Sequence, residues 1–198
     1  MTRMPRRAVV ERTTTETSIR LELVLDGAGN ADVSTGIGFL DHMLDLFTHH
    51  GGLDLVVKAE GDLDVDGHHT VEDIGLALGQ ALREALGDKR GICRFGSAVI
   101  PMDEALAMIA VDLSGRPFLH YDLDLSGVRI GEFDADLAGH FFRSLVNQAA
   151  LTLHVRLLSG SDPHHIVEAV FKGFARALAA ACERLPAGGR VPSTKGSL

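Results

Sequence analysis

Apolar residues recur along this chain with two periods that follow one another in a fixed order. Phe39, Met43, Leu44 and Phe47 lie three or four positions apart, as do Leu137, Phe141, Phe142 and Leu145. That spacing puts side chains on one stripe of a helix and predicts a helix at each place. Leu53, Leu55, Val57 and Ala59 then alternate with their neighbours, as do Leu151, Leu153, Val155 and Leu157. Alternation of this kind predicts a strand with one buried face. Helical spacing returns in Val71, Ile74, Leu78, Ala81 and Leu82, and again in Val167, Val170, Phe174, Ala177 and Leu178. Further strands are predicted at 6–12, 19–27, 94–100, 106–115 and 117–125, several of them running into Gly turns.

The order helix, strand, helix therefore occurs twice, and the two runs superimpose. His42 falls on His140 at a shift of 98 residues; after a loop two residues shorter, HHTVED (68–73) falls on HHIVEA (164–169) at a shift of 96. An internal duplication is the economical reading. Each half supplies a mostly antiparallel sheet and two helices, and these must bury their apolar faces against each other. The expected fold is α+β, with two similar half-domains and the helices packed together between the sheets. The halves are placed at 1–90 and 91–185, with the seam at GDKRGI (87–92), followed by a loose tail at 186–198, all within one compact domain.

Composition narrows the function classes. The chain is 45% hydrophobic and 23% charged, ordinary for a globular protein. No apolar run reaches the roughly 20 residues of a membrane span, and MTRMPRRAVV lacks the apolar core of a signal peptide. A cytoplasmic protein without a membrane partner is expected. Cys93 and Cys182 lack CxxC spacing and read as reduced thiols. A net charge of −8 argues against nucleic-acid binding, which needs clustered Lys and Arg.

The duplicated polar residues suggest metal chemistry. His42, His68, His69 and Glu72 survive in the second half as His140, His164, His165 and Glu168. Residues three or four apart share a helix face, so each Glu can reach back to a His of its own motif. Adjacent histidines point about 100° apart, so one His-His pair suits two metals better than one. Eight ligands divide into two sites of three His and one carboxylate, which leave positions for substrate on a six-coordinate ion. His49, His120 and His154 read as surface or packing residues, and His50 as a helix C-terminal residue facing the dipole.

Taken together, GFLDHMLDLFTHHG, DGHHTVEDIGLALGQAL, PMDEALAMIAVDLSGRPFL, HFFRSLVNQAALTLHVR, HHIVEAVFKGFARAL and VPSTKG resemble the imidazoleglycerol-phosphate dehydratases, in their monofunctional form. The resemblance runs from about residue 6 to the end. It implies removal of water from imidazole glycerol phosphate to give imidazole acetol phosphate in histidine biosynthesis. It also implies two Mn2+ ions per active site, one held by His42, His69, His165 and Glu168, the other by His68, Glu72, His140 and His164. Ligand preference alone would equally admit zinc or iron. No carbonyl flanks the carbon that loses its proton, so the substrate's imidazole must accept the charge; held as imidazolate it offers one nitrogen to each cation. By resemblance, Glu16 is the candidate acid/base, and Glu16, Arg94, Arg116, Lys172, Ser193 and Lys195 contact substrate, the basic ones suiting a phosphate dianion. A 24-mer with active sites shared between subunits is implied as well. The role of Asp103 in PMDE stays open. Two other classes would use the same ligands: a metal-dependent hydrolase of a small phosphorylated substrate, and a metal-storing shell.

Overall fold

Residues 7–86 build one sheet and two helices, and residues 95–182 repeat the plan. In the computed structural model, which describes residues 5–185 and 191–193, the first half runs β1 (Arg7–Thr13), β2 (Thr17–Val24), β3 (Ala31–Ser34), α1 (Gly38–Gly51), β4 (Asp54–Gly61) and α2 (His68–Leu86). The second runs β5 (Phe95–Met102), β6 (Ala105–Asp112), β7 (Phe118–Asp122), a short pair β8 (Arg129–Ile130) and β9 (Phe133–Asp134), α3 (Leu137–Ala149), β10 (Thr152–Ser159) and α4 (Pro163–Cys182). Strand order is β1-β2-β4-β3 in one sheet and β5-β6-β10-β7 in the other. Only β3 with β4, and β7 with β10, pair in parallel within these sheets. The expected α+β duplication is the observed architecture. β3 and the β8–β9 pair were not expected from the pattern, being too short to show a period.

Alternation does its work in the central strands. Leu21 and Leu23 of β2, Val57 of β4, Ile109 of β6 and Val155 of β10 are all fully buried on the inner faces. Helix α2 covers β1 and β2, α4 covers β5 and β6, and the helices meet as two pairs, α2 with α3 and α1 with α4. The α2–α3 pair is close because α2 presents Gly75 and Gly79. A Cβ on Gly79 would lie 2.5 Å from the Leu145 carbonyl oxygen, and one on Gly75 2.6 Å from that of Phe141. Their duplicates, Phe171 and Ala175, have side chains, so the halves pack their helices differently. Phe47 of α1 stacks on Phe174 of α4, centroids 5.6 Å apart, and so joins the halves through the core.

An ion cluster closes the end of α4. Arg6 holds Asp26 at 2.6 Å and donates to the Cys182 carbonyl at 2.7 Å, while Arg184 reaches Asp26 at 3.2 Å. Arg6's hydrogen bonds hold the Asp26 carboxyl down from 3.8 to about 2. A depressed carboxyl stabilises the fold above its unfolded pKa, and that contribution is lost as pH falls through the folded value. The stability advantage of the parent over Asp26→Asn that this shift supplies is therefore expected in full above about pH 5, to shrink as pH falls, and to be gone by about pH 1. Thermal midpoints of both proteins across that window check this; a gap no smaller at about pH 2 than at about pH 5 would refute it.

Candidate metal centre

An aspartate two residues ahead of each His-His pair starts the helix that carries it. Asp162 Oδ1 accepts the His164 backbone N–H at 2.8 Å, with Pro163 opening the helix, and Asp66 Oδ1 accepts that of His68 at 2.7 Å. Asp162 is the N-cap of its helix, whereas Asp66 stands one residue before the N-cap Gly67; each satisfies an otherwise unpaired N–H at the first turn. The first turn is where both pairs sit. In the first turn of α1, Asp41 accepts the backbone N–H and hydroxyl of Thr35, just ahead of the helix, at 2.9 and 2.6 Å, which orients the turn bearing His42.

Two clusters form, each mixing halves. His42 from α1 approaches Glu168 of α4 at 3.5 Å, and His164, one turn before Glu168, lies 3.2 Å from the same oxygen. The ligand atoms of these three residues all lie within 4.8 Å of one another. The duplicate cluster has His68 of α2 at 3.4 Å from Glu72, with the His140 ring of α3 4.5 Å from that of His68. A hollow of about 1010 Å³ is lined by His42 and His164 of the first cluster and by His68 of the second, among others. In the first cluster, three nitrogen and oxygen donors converging on one small volume fit a borderline divalent cation.

This grouping differs from the pairing that the resemblance implied. Within the chain His164, and not His165, joins His42 and Glu168. A spacing of four residues stacks His164 over Glu168, whereas His165 is turned about 100° away. His165 Nδ1 meets Glu104 at 2.8 Å, with Asp103 3.8 Å from its Nε2. Its duplicate, His69, places Nδ1 2.9 Å from Asp62 and 3.8 Å from Glu16. Asp62 and Glu104 raise the proton affinity of their respective imidazoles. A carboxylate on Nδ1 fixes the ring and leaves Nε2 as the ligand atom, the usual arrangement behind a metal-binding His. Glu104 is itself held down to about 2 by the Asp162 backbone N–H, then His165 and Ser161.

The clusters are not equivalent. Burial pushes the Glu168 carboxyl up, but the Lys172 ammonium hydrogen-bonded to it brings it below its ordinary value. Lys172 thus sits beside the first cluster, where its duplicate position holds Leu76. Arg94 lies far away: its backbone N–H donates to Ala181, about 20 Å along α4 from Glu168 at 1.5 Å per residue. The Arg94 guanidinium grips Asp112 at 2.7 and 3.1 Å, donates to the Pro192 carbonyl at 2.8 Å and lies 4.6 Å from the Phe95 ring centre. Ser193 follows Pro192, and Arg116 is tied to Ser114 in the turn leaving β6. Lys195 lies outside the described residues.

Asp62, Asp66, Glu104 and Asp162 were missed at the level of sequence. Asp66 and Asp162 carried a signal, since each stands two residues before a His-His pair. Asp62 and Glu104 carried none, because they reach equivalent imidazoles from non-equivalent loops. Lys89 was also missed: it is buried and donates to the Leu113 carbonyl at 3.3 Å, close to Arg94 and Asp112. Of the remaining histidines, His49 and His50 end α1, and His120 and His154 face each other across β7 and β10, rings 5.5 Å apart.

Comparison with known proteins returns one family. The family described as imidazoleglycerol-phosphate dehydratase matches residues 35–178. The chain is similar to the imidazoleglycerol-phosphate dehydratase of Geobacter metallireducens, 55% identical over 195 residues that cover 98% of this chain and 100% of that one. Among solved structures, the Staphylococcus aureus imidazoleglycerol-phosphate dehydratase superimposes with a TM-score of 0.82 at 43% identity, covering 90% of this chain and 99% of that one. The Pyrococcus furiosus enzyme superimposes with a TM-score of 0.83 at 40% identity, covering 96% and 100%.

Proposed function

This chain belongs to the imidazoleglycerol-phosphate dehydratase family, enzymes of histidine biosynthesis, and from that premise we propose that it converts imidazole glycerol phosphate to imidazole acetol phosphate and water with two Mn2+ ions per active site. His42, His164 and Glu168 would hold one ion, and His68, Glu72 and His140 the other. When bound, two cations supply Lewis acidity for the negative charge that develops on the substrate's ring.

The remaining work falls to the chain's own groups. Glu16, in the turn between β1 and β2 and near His69, moves the proton on carbon and returns one to the departing hydroxyl. Arg94, Arg116, Lys172, Ser193 and Lys195 hold the phosphate, the guanidinium forks fixing its direction and the ammonium groups adding charge. One chain leaves Arg94 about 20 Å from the Glu168 cluster, and His69 and His165 stand apart from both clusters. Both facts support a site completed by neighbouring copies, in a closed homo-oligomer that we take to be a 24-mer. The enzyme works in the cytoplasm on a small phosphorylated substrate, without nucleic-acid or membrane partners; no helix among the described residues is long and apolar enough to cross a membrane.

The observation that carries this reading is the convergence of the His42, His164 and Glu168 ligand atoms within 4.8 Å of one another, with His68, Glu72 and His140 repeating the arrangement more loosely. Chelation followed by metal return tests it, with appearance of the keto product as the readout. Turnover is expected to fall about a thousandfold or more on chelation and to recover with Mn2+. Undiminished turnover in the metal-stripped protein would overturn the metal-dependent reading.

A further inference from the structure

Asp73 is a buried carboxylate that the metal clusters do not use. It lies on α2 one turn beyond His69, 8% exposed, and both its oxygens are engaged. Thr17 donates its hydroxyl to Oδ2 at 2.5 Å, and Arg12 meets Oδ1 at 2.8 Å. Both partners belong to the β1–β2 hairpin whose turn bears Glu16.

From Asp73 the hydrogen bonds run in one direction into that turn. Because the Thr17 hydroxyl gives its proton to Asp73, Thr14 donates across the 3.2 Å contact to Thr17 Oγ1. Thr14 Oγ1 then accepts the backbone N–H of Glu16 at 3.1 Å and of Thr17 at 3.0 Å. A further bond from the Thr14 N–H to the Thr17 carbonyl, 2.8 Å, closes the turn. One face of α2 therefore carries both His69 and the anchor that sets Glu16 beside it, with Glu16 Oε2 3.8 Å from His69 Nδ1.

The duplication provides an internal control. Ala169 occupies the position of Asp73 in the second half, buried on α4, so packing this helix against its hairpin does not require a carboxylate. The second hairpin is tied down by its own turn residue instead: Glu104 accepts from the backbone of Asp162 at 2.7 Å and of Ser161 at 3.1 Å, and meets His165. In the first half the anchoring is moved off the turn onto Asp73, and among the described residues the carboxyl of the turn glutamate is left with only its 3.8 Å contact to His69. We propose that Asp73 is a positioning residue for Glu16, holding the acid/base turn in register with the metal-ligand helix. The inference rests on the reading of Glu16 as the acid/base.

Asp73→Asn keeps the shape but presents one oxygen to two donors, so the chain from Thr14 to residue 73 loses its direction. Thr17→Val breaks the same link while leaving Asp73 with Arg12, and serves if the Asn variant folds poorly. In either variant turnover is expected to drop by about tenfold or more with KM nearly unchanged, the scale of a small misplacement of a reacting group. Amide exchange at Glu16 and Thr17 should quicken, while metal content and particle size stay as in the parent. The deciding comparison is made in a Glu16→Gln background, where adding Asp73→Asn should cost nothing further if residue 73 acts only through Glu16. Equal losses with and without Glu16 would overturn the proposal and leave Asp73 a stabilising group. Glu16→Gln with parental turnover would instead overturn the acid/base reading beneath it, even where exchange at the turn still quickens.

Discussion

Glu168→Gln is expected to lower turnover by about a thousandfold or more, together with the loss of one metal per chain, because several kcal/mol of transition-state stabilisation are attributable to such a cation. Glu168 is the common contact of its cluster. His42 and His164 approach one of its oxygens and the Lys172 ammonium bonds the other. An amide keeps the size but removes the charge. Lys172, itself only 17% exposed, would then stand as an uncompensated cation beside the ligand atoms and repel an incoming metal. The duplicate Glu72 has a half-exposed side chain and Leu76 where the first cluster has Lys172. Glu72→Gln should therefore lose its metal without the loss of folding stability that Glu168→Gln brings. Metal content per chain, steady-state rate and thermal midpoint of the two variants decide the matter. Full metal content with turnover within tenfold of the parent would sink this account of the cluster.

Phe142→Ala is expected to be the most damaging single change to the fold away from the site, at about 3–5 kcal/mol. Phe142 is fully buried on α3. Its ring meets Phe171 and Phe174 of α4 at 4.9 and 5.4 Å and Tyr121 of β7 at 6.1 Å. Removing it takes an aromatic anchor from the place where the second sheet and two helices converge, and the backbone there cannot collapse freely. Carbonyls of α3 already sit against Gly75 and Gly79 of α2. For a chain of this size the thermal midpoint should fall by about 10 °C. Phe95→Ala, at a ring 60% exposed, is the control and should move the midpoint far less. Scans with chelator present separate folding from metal linkage. A Phe142→Ala midpoint no lower than that of the control would show that the aromatic cluster is not a main support of the core.

Legibility in the sequence followed the length and regularity of each element. All four helices were visible because each runs for at least three turns and keeps its apolar residues on one stripe. The strands that show alternation, such as β4 and β10, were visible for the same reason. β3 escaped notice because four residues, alternately half-buried and exposed, are too few to establish a period, and its parallel pairing with β4 depends on α1 returning the chain to the sheet. The metal ligands were legible because duplication printed them twice. Their grouping was not. The motif makes both His68 and His69 plausible partners of Glu72, and only the helix rotation against α3 and α1 selects the first histidine of each pair.

Periodicity and duplication in the sequence determine by themselves that this is an α+β protein of two like halves, and that eight His and Glu residues form one repeated chemical set. These are local or self-comparing properties, readable along the chain. Tertiary structure alone decided that His164 and not His165 meets His42, that Asp62 and Glu104 hold the outlying imidazoles, and that Asp73 ties the Glu16 turn to the ligand helix. Each of those contacts joins residues from different elements. Their meeting depends on how the helices cross and the hairpins lean, which the packing of the whole core sets and no stretch of sequence encodes alone.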